Sequence, residues 1–422
     1  MRPLFATATG EYPPRNRPRA GSTAAAPHDW KGLDRWTRAA FRLLAGLSVG
    51  QLTVILADGR AARFEGRTPG PEATVQLRDP RAVRRFMLGG DLAFAEAYMD
   101  GTVDCPDPAA LIELYVRNQD ALGRTALGGA AQVLLRRVRH WFNANTRRGS
   151  RRNIAYHYDL GNDFYARWLD PSMTYSAARF GHPEQTLEAA QTAKYRQLAD
   201  MLALRPGHRV LEIGCGWGGF AEVAARDYGA EVLGVTLSRE QHAHAVERVR
   251  RAGLADRVRF EIRDYRDVAG RFDRIASIEM FEAVGERYWD RFFGTLNDRL
   301  ADGGRAALQV ITIAEDRFAE YRSTPDFIQR YIFPGGMLPT RRHLHALAAP
   351  HGLRVDGEDR FGLDYARTLA VWRDRFLAEW PRISPLGFDD RFRRMWEYYL
   401  AYCEGGFRGG QIDVCQIAYA KG

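Results

Sequence analysis

The sequence predicts an α/β protein in which a doubly wound, Rossmann-like domain follows a smaller N-terminal α+β domain. Two patterns predict the larger domain: stretches typical of strands and helices alternate after Arg152, and the first such strand leads into a glycine-rich turn. The length of 422 residues leaves room for two domains, because a domain usually holds about 100–200 residues. Apolar residues make up 45% and charged residues 27% of the chain, which is typical of a globular protein.

Composition and periodicity divide the chain into four segments. Residues 1–27, rich in proline, arginine and alanine, are predicted to be a disordered basic tail, and residues 28–116 a small α+β domain. Residues 117–152 form a predicted basic helical linker, and residues 153–422 the doubly wound domain. The expected strands are 52–56, 73–77, 209–213, 231–235, 258–262, 272–278, 305–313 and 413–419, and the expected helices are 81–99, 217–228, 239–252 and 288–300.

The charge of the chain is positive and concentrated in the linker. The formal net charge of +9 favours an anionic partner. Nine arginines and a single acidic residue, Asp120, occupy the linker, where apolar side chains recur at helical spacing. The sequence leaves two interpretations of this basic amphipathic helix open: it packs on its own protein, or it lies on an anionic membrane surface.

The sequence carries no pattern of a membrane span, a secretion signal or a metal site. It has no run of 18 apolar residues, and prolines and arginines interrupt the first twenty residues, where a secretion signal needs an apolar core. We therefore expect a cytoplasmic protein, peripheral on the inner face of the membrane. The four cysteines lie far apart without zinc-site spacing, so no metal is predicted.

The strongest local signal is the strand and turn VLEIGCGWGG at 210–219. Its glycines let the backbone turn sharply and approach a ligand without an intervening Cβ. A dinucleotide site expects an acidic residue about 20 positions further on, but the second strand ends in GVTLS at 234–238, without a carboxylate. The acid is Glu212 instead, before the first glycine. This placement favours S-adenosylmethionine, which has an ammonium group and no pyrophosphate.

Seven motifs in one order resemble those of the cyclopropane-fatty-acyl-phospholipid synthases, a family that includes the mycolic acid cyclopropane synthases. They are HYDLGNDFY at 157–165, TYS at 174–176, the turn at 210–219, GVTLS at 234–238 with Gln241, MFEAVG at 280–285, YIFPGG at 331–336 and CEGGFR at 403–408. The resemblance is dense from about residue 150 to the end and looser before it. It implies a class I methyltransferase domain that uses S-adenosylmethionine on the double bonds of unsaturated phospholipid acyl chains.

The resemblance also implies which residues hold the cofactor. It implies Tyr175 and Ser176 at the methionine end, Gly214 and Gly216 against the ligand backbone, Thr236, Leu237 and Gln241 around the ribose and adenine, and Tyr265, beside Asp264, against the adenine.

For catalysis, the resemblance implies a bicarbonate site built from a cysteine, a glutamate, a histidine, a backbone group and a tyrosine. This chain keeps the glutamate as Glu282 and the tyrosine as Tyr365, but it has Ala177 in place of the cysteine and Gln309 in place of the histidine. An amide cannot carry a positive charge, so an anion here would lose one charged partner. Bicarbonate is therefore expected to bind more weakly or in another arrangement. Cys403 is expected near the active site.

Several alternatives stay open. Removing a proton from the added methyl group of the acyl cation closes a cyclopropane, whereas removing one from a neighbouring carbon gives a methyl-branched or furan precursor. A small-molecule N-methyltransferase and an inactive cofactor-binding module are further alternatives. Nucleic acid is not expected as a partner, because the chain lacks the Asn/Asp-Pro-Pro-aromatic motif for a flipped base. Dimers are frequent in the family, so both a monomer and a homodimer are compatible with the sequence.

Overall fold

The computed structural model describes residues 32–123 and 160–422, which we call the N-terminal and the C-terminal unit. The predicted tail at 1–27 and most of the predicted linker at 117–152 lie outside the described residues, and the four-segment division stays a prediction. Within the two units, no helix combines the length and the apolar character needed to cross a bilayer.

The N-terminal unit packs three helices against a four-stranded sheet of order β2-β1-β3-β4. Its central pair, β1 and β3, is parallel, and the outer strands are antiparallel to their neighbours. Inward and outward side chains alternate along β1, so that Leu52 and Val54 enter the core. The elements are α1 Arg35–Leu44, β1 Val49–Ile55, β2 Ala61–Glu65, β3 Thr68–Leu77, α2 Ala82–Met99, β4 Val103–Asp104 and α3 Pro108–Gly123.

Hydrogen bonds of the Asn118 side chain connect α3 to the start of β1. Its side-chain oxygen accepts the backbone N–H groups of Ser48 at 2.8 Å and Val49 at 3.0 Å. Its amide group donates to the carbonyl oxygens of Val49 at 2.9 Å and Leu114 at 2.8 Å. Because Asn118 is buried, no solvent can replace these bonds if the side chain is removed.

The C-terminal unit is a doubly wound α/β domain with a seven-stranded sheet of order β10-β11-β9-β8-β5-β6-β7. Strands β5 to β9 pair in parallel, and β11 runs antiparallel between β9 and β10. The strands are β5 Arg209–Ile213, β6 Glu231–Thr236, β7 Val258–Ile262, β8 Phe272–Ile278, β9 Leu300–Ile313, β10 Leu353–Arg360 and β11 Ile412–Lys421. The expected fold is confirmed, although β2, β4 and β10 were not predicted.

Nine α-helices of the C-terminal unit flank this sheet or follow its strands. They are α4 Asn162–Trp168, α5 Leu187–Met201, α6 Gly219–Tyr228, α7 Arg239–Arg251, α8 Trp289–Arg299, α9 Phe318–Ser323, α10 Arg341–Ala346, α11 Gly362–Ile383 and α12 Asp390–Arg408. The long helices α11 and α12 are rich in aromatic residues. Both contribute side chains to the wall of the site described below.

Helix α12 also joins the two units. A Cβ atom on Gly405 would lie 2.6 Å from Cβ of Ile112 and 2.7 Å from the carbonyl oxygen of Ala109, so glycine permits the close approach of α3. Arg408 of α12 forms an ion pair with the buried Glu113 of α3 at 2.9 Å. The N-terminal unit is therefore packed directly on a helix of the C-terminal unit.

We expect the substitution Asn118→Ala to destabilise the protein by about 1–3 kcal/mol, because the partly buried backbone N–H groups of Ser48 and Val49 would lose their acceptor. Chemical denaturation followed by circular dichroism measures the change. Thr192→Ala is the control, since that hydroxyl bonds only within its own helix, and we expect about 0.5 kcal/mol or less. Equal effects of the two substitutions would contradict the anchoring role of Asn118.

Candidate functional site

A single cavity of about 1280 Å³ lies at the carboxyl ends of the parallel strands and continues into the N-terminal unit. Such ends are the usual position of ligands in doubly wound sheets. All fourteen candidate residues from the sequence lie on its wall except Gln309, which is fully buried behind it. The lining candidates are Tyr175, Ser176, Glu212, Gly214, Gly216, Thr236, Leu237, Gln241, Asp264, Tyr265, Glu282, Tyr365 and Cys403.

The turn after β5 fits a ligand that carries an ammonium group. Glu212 is 2% exposed, and its Oε2 atom has no hydrogen-bond partner within the protein. Burial raises the pKa of Glu212 to about 8, although the charge of Lys194 and a hydrogen bond from the Ala221 backbone oppose the shift. Gly216 has a φ of +51°, and a Cβ there would point into open space, where a ligand can approach the backbone. A ligand ammonium group beside Glu212 would donate a hydrogen bond to the Oε2 atom, which has no partner within the protein.

The turns after β6 and β7 also line this region. Thr236 donates its hydroxyl to Oε1 of Gln241 at 2.9 Å, and Leu237 lines the cavity as well. Asp264 holds the guanidinium of Arg266 at 2.8 Å, while the Tyr265 ring meets Phe292 edge-on at 5.4 Å. Four polar side chains and an aromatic ring therefore border a space suited to a ribose and an adenine.

Residues 173–176 form the wall at the predicted methionine end. The hydroxyl groups of Tyr175 and Tyr399 lie 2.7 Å apart. Behind the segment, α5 supplies two fully buried side chains: Gln191 donates to the Ser176 carbonyl at 2.8 Å, and the Lys194 ammonium donates to the Ser176 hydroxyl at 2.5 Å. The side chains of α5 thereby fix both the backbone and the hydroxyl of Ser176.

The carboxylate of Glu279 sits at the centre of the predicted catalytic groups. Its Oε1 accepts the backbone N–H of Ala177 at 2.8 Å and Nε2 of Gln309 at 2.7 Å, and its Oε2 accepts the Tyr365 hydroxyl at 2.6 Å. The residue follows β8 directly and has a φ of +50°, a left-handed conformation that is uncommon outside glycine. Ala177, Gln309 and Tyr365 stand at positions that the resemblance assigns to a bicarbonate site. In this chain they surround the carboxylate of Glu279.

Sequence analysis missed both Glu279 and Lys194. The available signal for Glu279 was its place immediately after a buried strand, at the edge of the sheet where catalytic groups gather, three residues before Glu282. Lys194 lies in an ordinary helical pattern and gives no comparable signal.

The second carboxylate, Glu282, differs from Glu279 in its surroundings. Its Oε1 accepts the backbone N–H of Ile311 at 2.6 Å, and its Oε2 has no partner within the protein. Loss of hydration, followed by the charge of Glu279, raises the pKa of Glu282 to about 8. Glu282 is therefore mostly protonated at neutral pH.

More neighbouring groups stabilise a negative charge on Glu279 than on Glu282. Loss of hydration also raises its pKa, but hydrogen bonds from Tyr365, Ala177 and Gln309 and the charge of Lys194 favour the ionised form. Burial lowers the pKa of Lys194 to about 7, against the opposing charges of Glu279, Asp170 and Glu212. We assign the negative charge of the pair to Glu279, because it has three donors where Glu282 has one.

The remaining wall around Glu279 is aromatic. Tyr365 packs on Phe407 with ring centroids 4.6 Å apart, and the ring of Tyr399 lies 6.3 Å from that of Phe333. Cys403 lines the cavity beside them, and burial raises the pKa of its thiol far enough to keep it neutral. This region can hold an apolar chain and stabilise a positive charge on it, with one carboxylate available as a base.

Comparisons with known proteins agree with this geometry. A family model described as mycolic acid cyclopropane synthetase matches residues 145–417. Tuberculostearic acid methyltransferase of Mycobacterium tuberculosis is 39% identical over 385 residues, which are 86% of this chain and 86% of the relative. Cyclopropane-fatty-acyl-phospholipid synthase of Escherichia coli is 35% identical over 389 residues, which are 92% of this chain and 94% of the relative.

A solved structure also matches the C-terminal unit. The crystal structure of a mycolic acid cyclopropane synthase, complexed with S-adenosylhomocysteine and CTAB, superposes with a TM-score of 0.61 at 32% identity. The match covers 64% of this chain and 98% of that chain. The predicted fold class is confirmed by this match.

We expect the affinity for S-adenosylhomocysteine to rise as the pH increases from about 6 to about 8. Glu212 is mostly protonated below its pKa of about 8, and only its ionised form attracts the ammonium of the ligand. Isothermal titration calorimetry at several pH values, in buffers of different ionisation enthalpy, measures the affinity and the released proton. In Glu212→Gln the affinity should be at least about tenfold lower and no longer follow this profile. A wild-type affinity that is constant across this range would contradict the assignment.

Proposed function

The chain belongs to the mycolic acid cyclopropane synthetase family of S-adenosylmethionine-dependent methyltransferases, and on this basis we propose that it adds a one-carbon unit to the double bond of an unsaturated phospholipid acyl chain. One observation carries the proposal: the cavity that holds the predicted cofactor residues continues into an aromatic and aliphatic region centred on the Glu279 carboxylate. The names of the two relatives refer to a fatty acid and to fatty acyl phospholipids.

The apolar walls of the cavity suit a reaction in which the methyl acceptor is a weak nucleophile, namely an alkene. When bound, S-adenosylmethionine supplies an electrophilic methyl group. An alkene reacts with such a group only if both are held together without water, and positioning of this kind lowers a barrier by about 7–11 kcal/mol. Tyr365, Phe407 and Leu369 shape the wall on which the acyl chain would lie.

Glu279 is the proposed base. Addition of a methyl group leaves a positive charge on the acyl chain, and loss of one proton to the Glu279 carboxylate restores a neutral product. The rings of Tyr365 and Tyr399 stabilise the positive charge without attacking it. Glu279 would thus do the work that the resemblance assigns to bicarbonate, with Gln309 and Tyr365 holding it in place.

A second candidate product is a methyl-branched chain. The carboxylate of Glu279 is fixed by three hydrogen bonds, so its position relative to the acyl chain decides which carbon loses the proton. One relative carries the name of a methyl-branched acid, and the other that of a cyclopropane synthase. Both products arise from the same cation, and only product analysis separates them.

The proposal includes a peripheral association with anionic membrane. Three arginines of α1, Arg35, Arg38 and Arg42, are exposed on the N-terminal unit, whose interior continues the cavity. Electrostatic attraction of this kind weakens as salt is added. Cytoplasmic location and homodimer formation remain predictions from the sequence.

We expect incubation with S-adenosylmethionine and vesicles of dioleoyl phosphatidylglycerol to add one carbon to the oleoyl groups at the double bond. Fatty-acid methyl esters analysed by mass spectrometry and NMR show whether the carbon is in a ring or a branch. A ring identifies a cyclopropane synthase, and a branched olefin identifies a methyl-branching enzyme. An unchanged acyl pool, with the cofactor bound, would contradict the proposed function and direct attention to amine acceptors or to an inactive module.

We expect Glu279→Gln to lower the rate of acyl methylation by about 10²–10⁴-fold, because the amide cannot accept the proton. Glu279→Gly should be equally slow but should fold well, since glycine adopts the φ of +50° without strain. Added bicarbonate should partly restore Glu279→Gly, because the donors at Ala177, Gln309 and Tyr365 would then surround an empty space. The larger Glu279→Gln variant serves as the control that bicarbonate does not restore. A rate near that of the wild type in Glu279→Gln would contradict the role as base.

A further inference from the structure

Lysine is rare in this chain, and one lysine is buried beside the site. Of the 61 lysines and arginines, only three are lysines: Lys31, Lys194 and Lys421. Lys194 of α5 is fully buried, although lysine is almost never buried without a partner. An ammonium group is also more compact than the guanidinium group of arginine. The rarity of lysine and its burial at this position together indicate that a small charged group is needed there.

The ammonium group of Lys194 contacts the predicted cofactor end of the site. It donates to the Ser176 hydroxyl at 2.5 Å, and it lies 4.1 Å from the centroid of the Tyr195 ring. Ser176 and Tyr195 both line the cavity, whereas Lys194 does not. Lys194 therefore acts on the site from behind its wall, through residues that line the cavity.

Two chains of hydrogen bonds also connect Lys194 with Glu279. The first runs from the ammonium group to the segment 176–177, whose second residue donates its backbone N–H to Glu279. The second starts at the backbone carbonyl oxygen of Lys194, which accepts from the side chain of Gln416. Gln416 also donates to Gln309, which in turn donates to Glu279. Both chains end on the Oε1 atom of the Glu279 carboxylate.

The charge of Lys194 faces three acidic side chains from different parts of the domain. Burial lowers the pKa of Lys194 to about 7, and the negative charges of Glu279 after β8, Asp170 after α4 and Glu212 of β5 oppose the shift. Glu279 has the largest effect of the three. Arg248 of α7 supplies a further positive charge to Glu212, whereas the positive charge that favours ionised Glu279 is that of Lys194.

The other titratable groups around Glu279 are acids. They are Glu282, Tyr365 and Cys403, and the charge of Glu279 contributes to raising the pKa of each of them. A carboxyl, a phenol or a thiol is either neutral or negative, so none of the three can balance the charge of Glu279.

We propose that Lys194 is a positioning residue that serves the cofactor and the base together: its ammonium group fixes Ser176 and balances the negative charge of Glu279. This inference rests on the proposed function, in which Glu279 is the base. A proton moves from the acyl cation to the Glu279 carboxylate only if that carboxylate is ionised. A nearby positive charge favours the ionised form and keeps the base ready at a lower pH.

The pairing of Lys194 with Glu279 can be measured by NMR, since three lysines labelled with ¹³C at Cε give three signals. Lys31→Arg and Lys421→Arg assign them, and Lys194 should titrate with a midpoint at its pKa of about 7. In Glu279→Gln we expect the midpoint to fall by about one pH unit or more, because the ammonium form loses an opposite charge. Glu282→Gln is the matched control: Glu282 is mostly protonated at neutral pH, so the midpoint should move by about 0.3 pH units or less.

Lys194→Met tests the role in the reaction, with Gln191→Met as the matched control. Both residues are fully buried on α5 and donate to Ser176, but only Lys194 carries a charge. At saturating cofactor and lipid, we expect Lys194→Met to lower kcat by about tenfold or more near neutral pH. This loss should shrink as the pH rises, because Glu279 without its counter-charge becomes ionised only at higher pH. The loss in Gln191→Met should be the same at every pH.

Two results would overturn the inference. One is an equal midpoint of Lys194 in the wild type and in Glu279→Gln, and the other is a loss of kcat in Lys194→Met that does not change with pH. If Lys194→Met fails to fold, the midpoint in Glu279→Gln decides. A wild type that methylates no lipid but shows the expected midpoints would overturn the proposed function and leave the pairing of Lys194 with Glu279 standing.

Discussion

The site depends on one constraint: a carboxylate enclosed at the end of β8 needs partners that replace water. Glu279 obtains them from three parts of the chain that are far apart in sequence, Ala177, Gln309 and Tyr365. An enclosed charge without such partners would be strongly unfavourable. The negative charge therefore requires the segment before α5, the strand β9 and the start of α11 to meet at one point, and these same elements form the walls around the acceptor.

A second polar layer lies behind this point and keeps its donors in place. Gln416 of β11 donates to Oε1 of Gln309 at 3.0 Å and to the carbonyl oxygen of Lys194 at 3.1 Å. Gln309, Gln416 and Lys194 are all fully buried. Because an amide oriented on both sides cannot rotate freely, Gln309 presents its NH₂ group to Glu279. The neutral Gln309 therefore holds the carboxylate of Glu279, which belongs to the chain. A histidine in this position would suit a separate anion such as bicarbonate.

The sequence sufficed for the parts of the fold that depend on local pattern. The bounds of β5, β7 and β8 agree with the prediction, because each is a short stretch rich in β-branched or aromatic residues that lies between turn residues. Strand β10, with its mixture of charged and small residues, has no such pattern and was missed. Thirteen lining candidates followed from motif order, but Glu279 did not, since its role arises from contacts with residues about 30 to 102 positions away. The continuation of the cavity into the N-terminal unit depends on packing between the units, which no linear pattern records.

The close contact of α3 with α12 at Gly405 has a consequence for how this protein can be recombined. One side of α12 carries Tyr399 and Cys403, which line the cavity. On the other side, Ile112 lies so close to Gly405 that a side chain at this glycine would clash with it. An N-terminal unit taken from another protein would therefore need, in the place of α3, a helix that fits against this glycine. A working chimera would have to exchange α3 and α12 together, as one module that crosses the apparent boundary between the two halves.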